Sequence, residues 1–176
     1  SAQNHTVDTI FIGGGTPSLL KAEELSAILS ECRNCFRISE DAEITMESNP
    51  GTLLPEKLRV AREMGINRLS IGVQSLNDDV LSLMGRIHTA KEALSSFRDA
   101  RNAGFDNINL DLMFAVPGQT QAIWMDSLKR AIVLEPEHLS FYSLQIEDNT
   151  PFYRSFADGA LTPTDEETDR KMYRNA

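Results

Sequence analysis

Three short segments of this chain each sort into one apolar and one polar face when taken at alternate positions. Ile44 and Met46, then Leu69, Ile71 and Val73, then Ile108, Leu110, Leu112 and Phe114 are all apolar. Interleaved with them stand Thr45 and Glu47, then Ser70, Gly72 and Gln74, then Asn107, Asn109 and Asp111. A period of two marks a β-strand, because successive side chains leave opposite faces. Longer amphipathic stretches separate these runs, so the chain reads as repeated βα units. Parallel strands in such units are ordinarily covered by helices on both sides and are apolar on both. Here one face would bury amides and carboxylates away from water. A sheet curled into a barrel or partial barrel, with helices outside only, resolves the conflict, because the polar face then lines an interior that water or a polar ligand fills. Alternatively, Ser70, Asn107 and Asn109 satisfy one another in layers inside a packed barrel.

This pattern predicts strands at about 8–13, 43–47, 68–74, 107–115 and 138–146. The helices fall between them, at about 22–36, 55–64, 77–84 with 90–103, and 121–134. Pro55 and Glu56 suit a first helical turn, while Gly65 and Gly104 suit left-handed caps and Pro136 a stop. Asp165 to Ala176 reads as a charged helix interrupted midway. No low-complexity linker divides the 176 residues, which predicts a single domain.

Composition removes several classes of function. A formal charge of −9, with 17 Lys and Arg not visibly clustered, argues against a nucleic-acid surface. No apolar run reaches the roughly 18 residues of a membrane span, and no secretory signal opens the chain, so a cytoplasmic protein is expected. The two cysteines, Cys32 and Cys35, cannot complete a four-ligand site alone and read as small residues on a helix. No cluster of three ligands at metal spacing occurs, and no mononuclear metal site is expected.

In a βα barrel the site lies at the outgoing ends of the strands. Gly13-Gly14-Gly15-Thr16-Pro17-Ser18 follows the first strand, Glu47-Ser48-Asn49-Pro50-Gly51 the second and Gln74-Ser75 the third. Asp111 interrupts the apolar fourth strand, and the fifth ends in Gln145-Ile146-Glu147-Asp148. Consecutive glycines allow backbone amides to face an anion or carboxylate, although a plain strand-to-helix turn with Ser18 as the cap accounts for them too. The dinucleotide and P-loop patterns are absent. Glu47, Gln74 and Asp111 are the sharper signal, since three polar groups on one face of three adjacent strands need a partner. Arg86 suits bidentate capture of a carboxylate, or is a solvated surface residue. His88 lacks an orienting neighbour in sequence and reads as a surface or capping residue.

Thr9-Ile-Phe-Ile-Gly-Gly-Gly-Thr-Pro-Ser18, Glu43-Ile-Thr-Met-Glu-Ser-Asn-Pro-Gly51, Asn67-Arg-Leu-Ser-Ile-Gly-Val-Gln-Ser75 and Asn109-Leu-Asp-Leu-Met113 together resemble the oxygen-independent coproporphyrinogen III oxidase family. The match runs over about residues 7 to 155. The resemblance implies an α/β radical S-adenosylmethionine (SAM) fold, a partial (β/α)6 TIM-like barrel. In it a [4Fe-4S] cluster held by Cys-x3-Cys-x2-Cys reductively cleaves SAM to methionine and a 5′-deoxyadenosyl radical. Carried over by position, Gly14, Gly15 and Thr16 meet the methionine end of SAM, with Glu47 near its ammonium and Arg86 near its carboxylate. Gln74 and Asp111 hold the ribose, and Gln145 lies by the adenine.

The cysteine motif belongs after the first barrel strand, and this chain starts just before the second. The resemblance therefore implies a fragment cut at both ends, lacking the first strand and unable to bind a cluster as it stands. Ser1-Ala2 fits a cloning remnant. Two functions compete within the family: an oxidase that decarboxylates coproporphyrinogen III, and a HemW-type branch that binds and delivers haem. Either implies a porphyrinogen or haem partner and an electron-donor protein. Ile71-Gly-Val-Gln-Ser-Leu76 and Ser143-Leu-Gln-Ile-Glu-Asp-Asn-Thr-Pro-Phe152 look more like the chaperone branch. Outside the family, a barrel lyase or isomerase with a phosphate at the Gly-rich loop is the alternative.

Overall fold

The computed structural model describes residues 5–176, so the Ser1-Ala2 pair lies outside the described residues. Strands β1 (Thr6–Ile12), β2 (Arg37–Ser48), β3 (Arg68–Gln74), β4 (Ile108–Phe114) and β5 (His138–Ser143) form one sheet in chain order. β1 pairs parallel with β2, and β2 with β3. Between successive strands stand α1 (Ala22–Cys35), α2 (Pro55–Glu63), α3 (Asp78–Leu83) with α4 (Ala90–Asn102), and α5 (Gln121–Ile132). Helices α6 (Pro151–Ala157) and α7 (Glu166–Arg174) follow β5. This is the α/β class, with a five-strand parallel sheet, that the alternation predicts.

Two strands depart from expectation. β2 begins at Arg37 rather than near 43, because Thr6 pairs with Arg37 and Val7 with Ile38 before the register shifts. It resumes at Thr9 and Glu43, a step of two residues in β1 against five in β2. The extra segment, Ser39-Glu-Asp-Ala42, is a polar bulge whose composition hides the strand from a periodicity argument. β5 stops at Ser143, three residues short of the expected 146, and the chain turns through Asn149 at φ 65°.

The chain divides into two compact units, the first ending at Gly72 and completed by Leu94–Asn109, the second made of Val73–Ala93 and Leu110–Ala176. In the first, α1 packs on α2 and β2. Leu25, Leu29, Leu58 and Ala61 are buried, as is the apolar strand face of Ile44, Met46, Leu69, Ile71 and Ile108. Pro55 opens α2, and Gly65 (φ 98°) and Gly104 (φ 87°) terminate α2 and α4 in the left-handed region, as expected. The polar face partly satisfies itself: Asn109 Nδ2 donates to Ser70 Oγ at 2.8 Å, both residues buried. Asn107 does not join that layer; its Nδ2 donates to Glu43 Oε2 at 3.4 Å.

In the second unit Val73, Leu110, Leu112 and Phe114 are buried with Trp124, Leu128 and Met172. The rings of Phe114, Trp124, Phe141 and Tyr173 gather with centroids 5.4 to 6.3 Å apart. Trp124 Nε1 donates to the Met172 carbonyl at 3.0 Å, which satisfies the buried indole and ties α5 to α7. The charged terminal stretch is indeed helical, with Asp165 as its cap and exposed Glu166–Arg170 and Glu167–Lys171 pairs at 2.7 Å. α5 ends with Glu135 in the left-handed place (φ 54°) that glycine takes elsewhere, just before Pro136. Among the described residues, no helix is long and apolar enough to cross a membrane.

Candidate functional site

The sequence-predicted residues fall into two groups, one in each unit. The first surrounds the glycine loop after β1. Gly14 (φ 85°) and Gly15 (φ 59°) occupy conformations that other residues adopt with strain, and a Cβ on either would meet nothing within 4 Å. Gly13 is glycine for another reason: a Cβ there would stand 2.7 Å from the Phe11 ring and 3.0 Å from Glu47 Oε2. The half-exposed Glu47 side chain, rising from β2, thus lies directly against the loop. Its carboxylate accepts the Gly14 N–H at 2.9 Å.

The carboxylate that faces the Gly14 N–H is the protein's own, and a phosphate placed beside it would face like charge. Nearby, Asn49 Nδ2 donates to Thr16 Oγ1 at 3.0 Å, so the second loop positions the first. Ser18 is not the cap of α1. It is fully buried, shares a 2.6 Å hydrogen bond with Thr52 Oγ1 and receives the Asn49 N–H at 3.4 Å, while Glu24 caps α1 through the Lys21 N–H at 2.7 Å.

The second group is built at the end of β3. Gln74 is buried and has φ 61°, and the Ser75 N–H donates to the Val73 carbonyl at 2.7 Å. An i to i+2 bond around a positive φ defines the rare, strained form of γ-turn. The neighbourhood braces it. His88 Nε2 donates to the same Val73 carbonyl at 3.2 Å, Ser75 Oγ lies 3.4 Å from Ser127 Oγ, the Leu76 N–H donates to Ser127 Oγ at 3.2 Å, and Arg130 Nη1 donates to the Leu76 carbonyl at 2.6 Å. The amide of Gln74 is held as well: Tyr142 Oη, from β5, donates to Gln74 Oε1 at 2.9 Å.

His88 is therefore buried rather than on the surface, a correction traceable to the strand-end carbonyl that it satisfies. Burial, more than the nearby Arg86 charge, pushes its imidazole below the ordinary value of 6.5. Arg86 is half-buried beyond Gly85 and makes no ion pair to a carboxylate among the described residues. Asp111 is half-buried in the middle of β4. Gln145 is exposed and lies two residues past β5, not on it. Asn49 and Tyr142 are the participants that periodicity missed, since neither lies on the polar face of the three segments that carried the argument.

Cys32 and Cys35 share α1, and the hydrogen bond and charge of Glu31 raise the Cys35 thiol above its ordinary value. Among the described residues no group of three or more His, Cys, Asp or Glu is arranged to hold a metal ion. Two thiols do not complete a four-ligand cluster.

The sequence pattern of the radical SAM superfamily matches residues 1–131. The chain belongs to that superfamily. It is 44% identical over 166 residues to the haem chaperone HemW of Bacillus subtilis (strain 168), covering 94% of this chain and 44% of that protein. It is 45% identical over 152 residues to HemW of Haemophilus influenzae, covering 86% and 40%. Among solved structures, the radical SAM enzyme coproporphyrinogen III oxidase (HemN) of Escherichia coli matches with a TM-score of 0.85 and 29% identity, over 98% of this chain and 40% of that one. The chain thus spans less than half the length of these relatives. The partial TIM-like barrel of the superfamily is the fold expected from the strand faces, and the resemblance to the coproporphyrinogen oxidase group holds.

Proposed function

We propose that this chain is the SAM-binding core of a radical SAM protein of the HemW haem-chaperone kind. The observation that carries the SAM reading is the first loop, where a carboxylate held by a glycine amide lies under two open glycines and suits an ammonium group better than a phosphate. In this reading Gly14, Gly15 and Thr16 meet the methionine part, Glu47 accepts its ammonium, and Arg86 pairs with its carboxylate. Gln74 and Asp111 hold the ribose, and Gln145 lies by the adenine. Bound SAM supplies, on reductive cleavage, the one-electron chemistry that defines the superfamily, while the residues of this chain bind and orient it. The [4Fe-4S] cluster then takes its ligands from residues that this chain does not contain.

The haem reading is supported by the identities of 44% and 45% to proteins named haem chaperones, against 29% to the oxidase. It makes haem the cargo, an electron-donor protein the partner and the cytoplasm the location. The oxidase reading, with coproporphyrinogen III as substrate, is second and rests on the fold match. In titrations of the reconstituted full-length protein with SAM, Arg86→Ala and Asp111→Ala should each weaken binding by about tenfold or more, as charged hydrogen bonds do. Unchanged affinity in both refutes the assignment. An anaerobic assay that finds tight haem binding without coproporphyrinogen turnover supports the chaperone reading over the oxidase.

A further inference from the structure

Nothing in the composition or strand periodicity singles out Tyr142, yet its hydroxyl is the group that fixes the amide of Gln74. Gln74 is 5% exposed, at a backbone angle that costs energy for any residue but glycine. Strain of this kind persists only where the surroundings over-determine it, and here two bonds to the Val73 carbonyl, the Ser127 hydroxyl and Arg130 do so. The effect is to hold the carboxamide at the end of β3, where strand-end chemistry belongs in this fold. A primary amide has a donor end and an acceptor end of nearly equal size, and backbone strain alone does not choose between them. The structure shows which end is held: Tyr142 Oη lies 2.9 Å from Oε1, an oxygen that can only accept, so the phenol donates to it. The amide's NH2 is thereby the end left to meet a ligand.

We infer that Tyr142 is a positioning residue that sets Gln74 as a hydrogen-bond donor toward a ribose hydroxyl of the bound nucleoside. This rests on the SAM reading and adds to it a division of labour. A hydroxyl both donates and accepts, so a carboxylate such as Asp111 can only receive from the diol and a second group must supply a donor. Gln74 with its oxygen occupied is that donor. With Tyr142 replaced by Phe, the ring and its packing remain, but the amide is free to rotate between two faces and half its orientations offer the wrong end.

The test is a double-mutant cycle on the reconstituted full-length protein, reading SAM affinity in wild type, Tyr142→Phe, Gln74→Ala and the double variant. Tyr142→Phe should weaken SAM about three- to tenfold, the range of one ordinary hydrogen bond. In the Gln74→Ala background the same change should have no further effect, because nothing is left to orient. A merely structural role for the phenol predicts losses that multiply, and that result overturns the inference. Wild-type affinity in Tyr142→Phe, with Gln74→Ala weakened, overturns it while leaving the SAM reading intact. A wild-type protein that does not bind SAM overturns both.

Discussion

The loop after β1 and the turn after β3 both need left-handed backbone next to a polar side chain, and the chain meets that need in opposite ways. After β1, the left-handed positions are glycines, exposed and unconstrained by packing, and the carboxylate beside them comes from the neighbouring strand. After β3, the left-handed position is itself the polar residue proposed to meet the ligand, buried, with its strain held by His88, Ser127 and Arg130. The first design separates backbone freedom from chemistry; the second fuses them. The second is stiffer at the cost of stored strain, so the two ends should respond differently to the same kind of substitution.

The sharpest contrast lies within the glycine loop. Gly13→Ala places a methyl against the Phe11 ring and the Glu47 carboxylate, and should destabilise the protein by about 1 to 3 kcal/mol, as overpacking does. Gly14→Ala meets no atom and carries only the left-handed penalty, about 1 kcal/mol. Urea unfolding of the two variants compares them directly. Equal losses would mean that Glu47 is not held against Gly13, and the description of the cradle would fail.

At β3 the corresponding change runs the other way. Gln74→Gly removes the strain of a non-glycine residue at φ 61° and also removes the bond from Tyr142. These terms are of similar size and opposite sign, so stability should stay within about 1 kcal/mol of wild type while SAM affinity falls. A loss of more than about 3 kcal/mol in unfolding experiments would show that the amide serves the core rather than a ligand, and would dissolve the contrast between the two ends.

How much of this was legible in the sequence follows from which forces leave a periodic trace. The nine apolar-face residues from Ile44 to Phe114 are all buried, because strand alternation and burial are the same fact seen twice. Glycine caps at Gly65 and Gly104 were equally plain, since only one residue type fills those positions at no cost. The β2 bulge was hidden because its residues are charged and unpatterned, and α6 because a seven-residue helix gives too few turns to show a face, despite its Thr150 cap and Pro151. Glu47, Gln74 and Asp111 stand out as polar residues on strands. His88 and Tyr142 did not, because their importance lies in single long-range hydrogen bonds to Val73 and Gln74, and such bonds leave no mark in local sequence.

The smallest effect follows from His88, which sharpens the comparison by isolating one brace of the strained turn. Burial, then the charge of Arg86, lowers its pKa in the folded state, against the opposing pull of the Val73 carbonyl, Glu92 and Asp78. The unfolded chain takes up a proton near the ordinary 6.5, whereas the native state resists it until lower pH. Between those two values the unfolded state holds more protons, so stability falls as the pH drops through that window and levels off once the native imidazole is also protonated. The slope cannot exceed about 1.4 kcal/mol per pH unit for one group. Urea midpoints of wild type and His88→Gln, measured from neutral to mildly acid pH, should differ by a term that shrinks toward acid, because the glutamine variant lacks this titration. Gly14→Ala retains His88, so its midpoints should run parallel to wild type over the same range of pH. Parallel curves for wild type and His88→Gln would remove the imidazole from the account of what holds Gln74.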